Sequence, residues 1–397
     1  MPHMSGPLRP ARSRIESVDV LRGVIMIIMA LDHVREFFGT GANPTDLIHT
    51  TPALFFTRWI THFCAPVFFL LTGTGAFLSL RRKSKSELSR FLVTRGLWLI
   101  VLETVIMRCL SFQFNFDFRV TFLIVLWALG WAMIVLAALL HLPTWIVTAF
   151  GVVMIATHNL LDSVSAASLG ALAPLWSILH VPALLISTPR FTVFESYPLI
   201  PWVGVTAVGY GLGQVYGWEP DRRKAFLLRL GILLSAAFVV IRWLNIYGDP
   251  GRWRTQSSSL FTVLSFLNTT KYPPSLLFLL MTLGPALLLL RAVNDGTPRF
   301  LRPALLIGKV PLFYYVIHIT IAHLLAVVVC FAKYGQVHWM FESPTLAQYP
   351  FKPPPGWGFD LAGVYLMWAV VVIILYPLCL WYAGLKQRRT DWWLSYL

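Results

Sequence analysis

Long apolar runs separated by short polar links dominate the chain. A bilayer crossing needs ~20 mostly apolar residues, and ten segments meet that test, at about 18–38, 53–80, 91–111, 119–141, 143–161, 196–216, 224–246, 274–292, 304–332 and 360–384. Most are apolar on all sides, so a helical period does not define an inner face for them. The pattern predicts an all-α integral membrane protein with about ten transmembrane helices. Two further apolar pieces are read as not crossing. Residues 166–187 contain Pro174 and Pro182 and read as interfacial or re-entrant, and 259–268 is too short. The links at 162–195, 247–273 and 333–359 are long and fall on one side, where they would cap a cavity opening that way.

Composition agrees with this pattern. Of the 397 residues, 57% are hydrophobic and 12% charged, whereas soluble domains carry about 25% charged residues. Cys64, Cys109, Cys330 and Cys379 all lie in apolar runs and read as small buried hydrophobes rather than disulfides or metal ligands. The net charge of +15 suggests nucleic acid until its placement is considered. With the N-terminus inside, 20 of the 32 Lys and Arg residues fall in inner segments and six in outer ones, as the positive-inside rule demands. Both termini are then cytoplasmic and no nucleic-acid partner is implied. Residues 1–16 read as a cytoplasmic tail, 17–385 as a single transmembrane domain and 386–397 as a second tail. The first apolar run lacks a clear small-residue cleavage site and is expected to remain as the first helix.

Charge inside an apolar span is costly and is usually kept for a task. The first span, S-V-D-V-L-R-G-V-I-M-I-I-M-A-L-D-H-V-R-E, carries Asp19 and Arg22 near one end and Asp32, His33, Arg35 and Glu36 near the other. Arg22 and His33 are eleven positions apart, which returns to nearly the same face ~16 Å along the axis. One helix then presents a fixed cation and a titratable imidazole to one space at two depths. The plainer alternative makes Arg22 an interfacial anchor and 33–36 a wet helix end. In the second span Arg58 and His62 share a face at i, i+4, and Pro66 follows His62 by four, where it would open the helix. Gly73 and Gly75 read as close-packing positions. Asp46 and His49 lie in a short outer loop. Glu103 is isolated mid-span and needs a partner from another helix. Lys271 and Tyr272 precede a double proline, where Lys271 either holds an anion or anchors the interface. Tyr314 and His318 share a face in the ninth span, near Lys309, whereas His323 points elsewhere and reads as structural.

No G-x-S-x-G, P-loop or H-E-x-x-H occurs, and the histidines lack zinc-site spacing, so no metal is expected. Histidines and arginines outnumber carboxylates in the spans. That balance suits binding an anion and taking a proton from a nucleophile better than cation transport.

The opening motif, with T-H-F-C-A-P at 61–66, Y-P-L-I-P-W-V-G at 197–204, K-Y-P-P-S-L at 271–276 and I-G-K-V-P-L-F-Y-Y-V-I-H at 307–318, resembles the bacterial branch of the heparan-α-glucosaminide N-acetyltransferase catalytic-domain family. That family is also catalogued as one of unknown function. The resemblance covers roughly residues 15 to 330. Acyltransferase-3 members of the wider group carry an Arg, ten residues and a His in the first span, a pattern that Arg22 and His33 match. The resemblance implies acyl transfer by a ten-helix core, with acyl-CoA supplied from the cytoplasm. The heparan enzyme has Asn where His33 stands and places its catalytic histidine in the following outer loop, where His49 is a loose match. The lumenal N-terminal domain of the animal enzyme is not expected here, so heparan sulfate is not assumed to be the acceptor.

The resulting expectation is an acyl-CoA-dependent acyltransferase of a bacterial cytoplasmic membrane. It would move an acyl group, acetyl first, to a hydroxyl or amine of a glycan or small acceptor. His33 stands first as general base, then His62 or His49. Arg22, with Asp19 and Lys309, would bind the donor, and Arg58, Lys271, Tyr272 and His318 would orient donor or acceptor. Acyl-CoA is a co-substrate and no tightly bound cofactor is expected. Direct transfer and an acyl-histidine are both open, as is the oligomeric state, a homodimer included. The rival class is a transporter or exporter with a histidine proton relay, although the paired interrupted spans common in that class are not found.

Overall fold

The computed structural model describes residues 15–389 and 391–396. Arg9, Arg12 and Arg14, assigned to the basic tail, lie outside the described residues. The chain is mostly helical, and each of the ten predicted segments contains a helix. The helices are α1 (Glu16–Phe38), α2 (Pro52–Thr61), α3 (Cys64–Ser79), α4 (Lys85–Val101), α5 (Val125–Leu139), α6 (Thr144–Thr157), α7 (Ala173–Leu179), α8 (Leu199–Leu212), α9 (Pro220–Leu244), α10 (Ser259–Leu267), α11 (Leu276–Ala292), α12 (Arg302–Gly308), α13 (Pro311–Tyr334) and α14 (Leu361–Arg388). Among the described residues, five helical stretches are long and apolar enough to cross a membrane: 52–79, 144–161, 220–244, 311–334 and 361–388.

Burial separates the inner helices from the outer ones. Fifteen of the 23 residues of α1 are buried, and it packs against α12, α13, α14, α3 and α2. In α9 only four of 25 are buried, and Ile232, Leu233, Val239 and Val240 lie exposed on it. An apolar surface of that size belongs against lipid. The buried helix α1 carries charge at both ends, with Asp19 and Asp32 themselves buried.

Several elements break where the residues require it. α2 and α3 part at His62–Phe63, because Pro66 has no N–H to return to the His62 carbonyl. α4 runs on as a π-helix over Leu102–Phe112, a rare form concentrated at functional sites. Glu103, at its start, accepts hydrogen bonds from the amides of Ile124 (3.0 Å), Leu126 (3.0 Å) and Trp127 (2.7 Å). Its partner is therefore the N-terminus of α5, whose orphan N–H groups favour an anion. Gly73 and Gly23 mark the tightest crossings. A Cβ at Gly73 would stand 1.9 Å from the Thr206 carbonyl of α8, and one at Gly23 would stand 1.7 Å from the Ala304 carbonyl of α12. Gly75 meets no neighbour in this way and borders a cavity instead.

The reading from apolar runs missed a small sheet. β1 (Val120–Leu123) pairs in parallel with β3 (Thr192–Glu195), which pairs antiparallel with β2 (Ala183–Ser187). The 166–187 piece thus divides into a 3₁₀ stretch kinked at Gly170 (Ala166–Leu172), α7 and β2. Phe122 pairs with Phe194 in register, and strand alternation turns Glu195 to the opposite face. Glu195 is fully buried, and neither carboxylate oxygen has a side-chain hydrogen bond among the described residues. Burial pushes its carboxyl from 4.5 up to about 8. The fold therefore prefers the protonated acid. Stability from this group is complete below about pH 4.5, declines as the unfolded chain deprotonates first, and levels off above about pH 8. Glu195→Gln, which keeps the shape without the charge, is expected to melt progressively higher than the native chain as pH rises through that window. Parallel melting curves at all pH values would show that Glu195 is not held as the acid.

Candidate active site

Two cavities flank α1 and adjoin each other. One, of about 410 Å³, is bordered by Asp32, His33 and Glu36 of α1, by Lys271 and Tyr272, and by the sheet residues Phe122 and Phe194. The other, of about 250 Å³, is bordered by Arg22, Arg95, Gly75 and Ser79 with mainly apolar side chains between them. Val125 and Tyr315 line both. Arg22 and His33 open into successive chambers rather than into one space.

His33 is oriented by a second histidine. Its Nδ1 lies 2.7 Å from Nε2 of His318, with the ring planes 19° apart. His318 Nδ1 lies 3.0 Å from the Tyr314 carbonyl. A carbonyl only accepts, so in the neutral pair His318 carries its proton on Nδ1 and accepts at Nε2. His33 must then donate from Nδ1, which leaves the Nε2 lone pair for the chamber it borders. The chain Tyr314 carbonyl, His318, His33 fixes the tautomer a general base requires.

Charged groups surround this pair. Asp32 accepts from Arg35 (3.0 Å) and, through a short contact, from Arg58. Glu36 borders the chamber one turn further on. Lys271 and Tyr272 are presented by a tightly tethered loop. Asp249 accepts from the Thr270 amide (2.8 Å), the Thr270 hydroxyl (2.9 Å) and the Ser275 hydroxyl (2.6 Å), so one carboxylate holds both ends of the loop. His158 meets the Pro274 carbonyl at 2.9 Å. Burial raises the Tyr272 phenol, but the Lys271 ammonium and Arg58 guanidinium outweigh it and pull the phenol below its usual value. Tyr197 packs edge-on to Tyr272 at 5.3 Å.

The remaining sequence candidates sit elsewhere. Arg22 bonds Asp19 (2.7 Å) and the Gly308 carbonyl (3.1 Å) at the smaller chamber. Lys309 borders a separate pocket with Glu16 and Arg302. Arg58 is committed to Asp32. His62 is buried against Phe278 and borders neither chamber. His49 is exposed in the loop after α1, its Nδ1 2.7 Å from Asp46, and that hydrogen bond holds the Asp46 carboxyl below its usual value. His323 bridges the Ser111 and Met340 carbonyls. Glu36, Tyr197 and Tyr315 border the chambers and were not singled out as site residues from sequence. Glu36 was within reach of such a reading, one turn from His33 on the same helix.

The family model described as heparan-alpha-glucosaminide N-acetyltransferase, catalytic, matches residues 14–249, more than half of the 397-residue chain. The chain belongs to this family. No individual curated protein matches it. Membership of the heparan-alpha-glucosaminide N-acetyltransferase catalytic family, with its several apolar helices, makes it a multi-pass membrane protein of acetyltransferase type. The matched stretch holds Arg22, His33, His49, Arg58 and His62. It ends before Lys271, Tyr272, Lys309 and His318, and of these the cavity and the imidazole pair bring Lys271, Tyr272 and His318 to His33.

Proposed function

We propose that the protein transfers an acyl group, acetyl first, from cytoplasmic acyl-CoA to a hydroxyl or amine of a glycan or small acceptor on the other side of the membrane. The observation that carries this reading is the pair of adjoining chambers, one with Arg22 and one with the open Nε2 of His33. In this reading ten helices cross the bilayer with both termini cytoplasmic, as the Lys and Arg distribution predicts, and the membrane is the cytoplasmic membrane of a bacterium.

The donor enters from the Arg22 end. Arg22 and Arg95 receive the anionic part of CoA as fixed cations, and the apolar wall takes the pantetheine arm. The thioester then lies near Val125 and Tyr315, beside the acceptor chamber. There the acceptor meets His33 Nε2, which removes its proton as the new bond forms. Glu36, Lys271 and Tyr272 orient the acceptor by hydrogen bonds. With both substrates side by side, direct transfer needs no covalent enzyme intermediate.

The test uses the full chain in nanodiscs with radiolabelled acetyl-CoA and a panel of amino sugars and sugar alcohols. CoA release with label passing to an acceptor is the expected result. Flux of a solute without acyl turnover, with longer acyl-CoAs also tried, would replace this reading by a transporter.

A further inference from the structure

We propose that the Tyr315 hydroxyl donates the hydrogen bond that stabilises the oxyanion formed from the thioester carbonyl, an inference that rests on the acyltransferase reading above.

Tyr315 is one of the two residues shared by the chambers, so an acyl group passing from donor to acceptor must meet it. It is 3% exposed, and its hydroxyl is buried with no hydrogen-bond partner among the described residues. A buried polar group left unpaired is costly, and such a group at a junction of cavities points to a partner that arrives with substrate. The ring stands perpendicular to His33, at 6.2 Å and 87°, and nearly so to His318, at 5.7 Å and 71°. Tyr315 and His318 are three apart on α13 and share a face. The tyrosine is thereby fixed beside the base. Tyr382 of α14 also has a buried hydroxyl without a hydrogen-bond partner among the described residues, but it borders neither chamber.

The step balances without another reactant. The acceptor oxygen or nitrogen bonds to the thioester carbon, and its proton passes to His33 Nε2. The carbonyl π pair moves to oxygen, and that oxyanion accepts from the Tyr315 O–H. Collapse restores the C=O bond and breaks the C–S bond. CoA leaves as thiolate and takes the proton from His33. Tyr315 keeps its own proton throughout.

The experiment compares Tyr315→Phe, Tyr382→Phe and the native chain in nanodiscs, measuring kcat, KM for acetyl-CoA and acetyl-CoA binding. Loss of one oxyanion donor typically costs about 10²–10³ in kcat. That fall is expected for Tyr315→Phe with donor KM and binding little changed, while Tyr382→Phe keeps near-native turnover. Should Tyr315→Phe fold poorly, fluorotyrosine at 315 keeps the ring and acidifies the hydroxyl. It is then expected to shift kcat and its pH profile, and an unchanged profile would overturn the assignment. Equal turnover in Tyr315→Phe and native chain, or equal falls in both phenylalanine variants, would overturn it while leaving the acyltransferase standing. A native chain with no turnover of any acyl-CoA would overturn both.

Discussion

His33→Ala is expected to lower acyl-transfer turnover by about 10²–10⁴, the usual worth of a positioned general base, while acetyl-CoA binding persists. The argument is geometric. His33 Nδ1 is engaged by His318 at 2.7 Å, so only Nε2 is left to take a proton. The second imidazole gives the prediction more detail. His318→Leu removes the acceptor that fixes the tautomer, and part of the His33→Ala loss should appear there. His318→Gln is expected to recover much of it, because the amide oxygen accepts from His33 while the amide nitrogen donates to the Tyr314 carbonyl. The measurement is kcat against pH for the native chain and these three variants. Native turnover in His33→Ala would remove His33 as the base, and identical losses in His318→Leu and His318→Gln would reduce His318 to packing.

Part of this site is legible in the chain because it is local. Arg22 and His33 lie on one helix, and an eleven-residue spacing fixes their common side whatever surrounds them. The charges of α1 could likewise be read as an inner helix, since lipid does not tolerate them. What is not local could not be read. His33 and His318 are 285 positions apart, and helices that are apolar on all sides carry no moment to show which faces meet. The same limit applies to Lys309. Near Arg22 in the topology, it opens into a different pocket once α12 is placed. The strands were hidden for another reason. Residues 120–123 begin an apolar run that reads as a span, and 183–187 and 192–195 are short pieces of a long link. Yet they build the wall of the larger chamber, through Phe122 and Phe194.

The second large effect concerns the charges beside the base. Asp32 is bound by Arg35 at 3.0 Å and by Arg58 through a shorter contact, with the three side chains only 11–14% exposed. Arg58 arrives from α2, so this cluster ties α2 to α1 as well as setting one carboxylate between two guanidiniums. Removing one member of a buried pair strands the charge of the other and costs about 3–5 kcal/mol. Asp32→Asn should therefore be strongly destabilising, although it preserves volume and keeps an acceptor oxygen. Arg35 already has its Nε without a hydrogen-bond partner, so it has little slack to absorb the loss. Adding Arg58→Gln removes one of the two stranded charges, and the double variant is expected to be more stable than Asp32→Asn alone. That reversal, read as a coupling energy from thermal melts of all four proteins, separates charge pairing from packing. Additive losses would mean that the cluster contributes by shape. Recovery of stability without recovery of turnover would show that the Asp32 carboxylate also serves the acceptor chamber it borders.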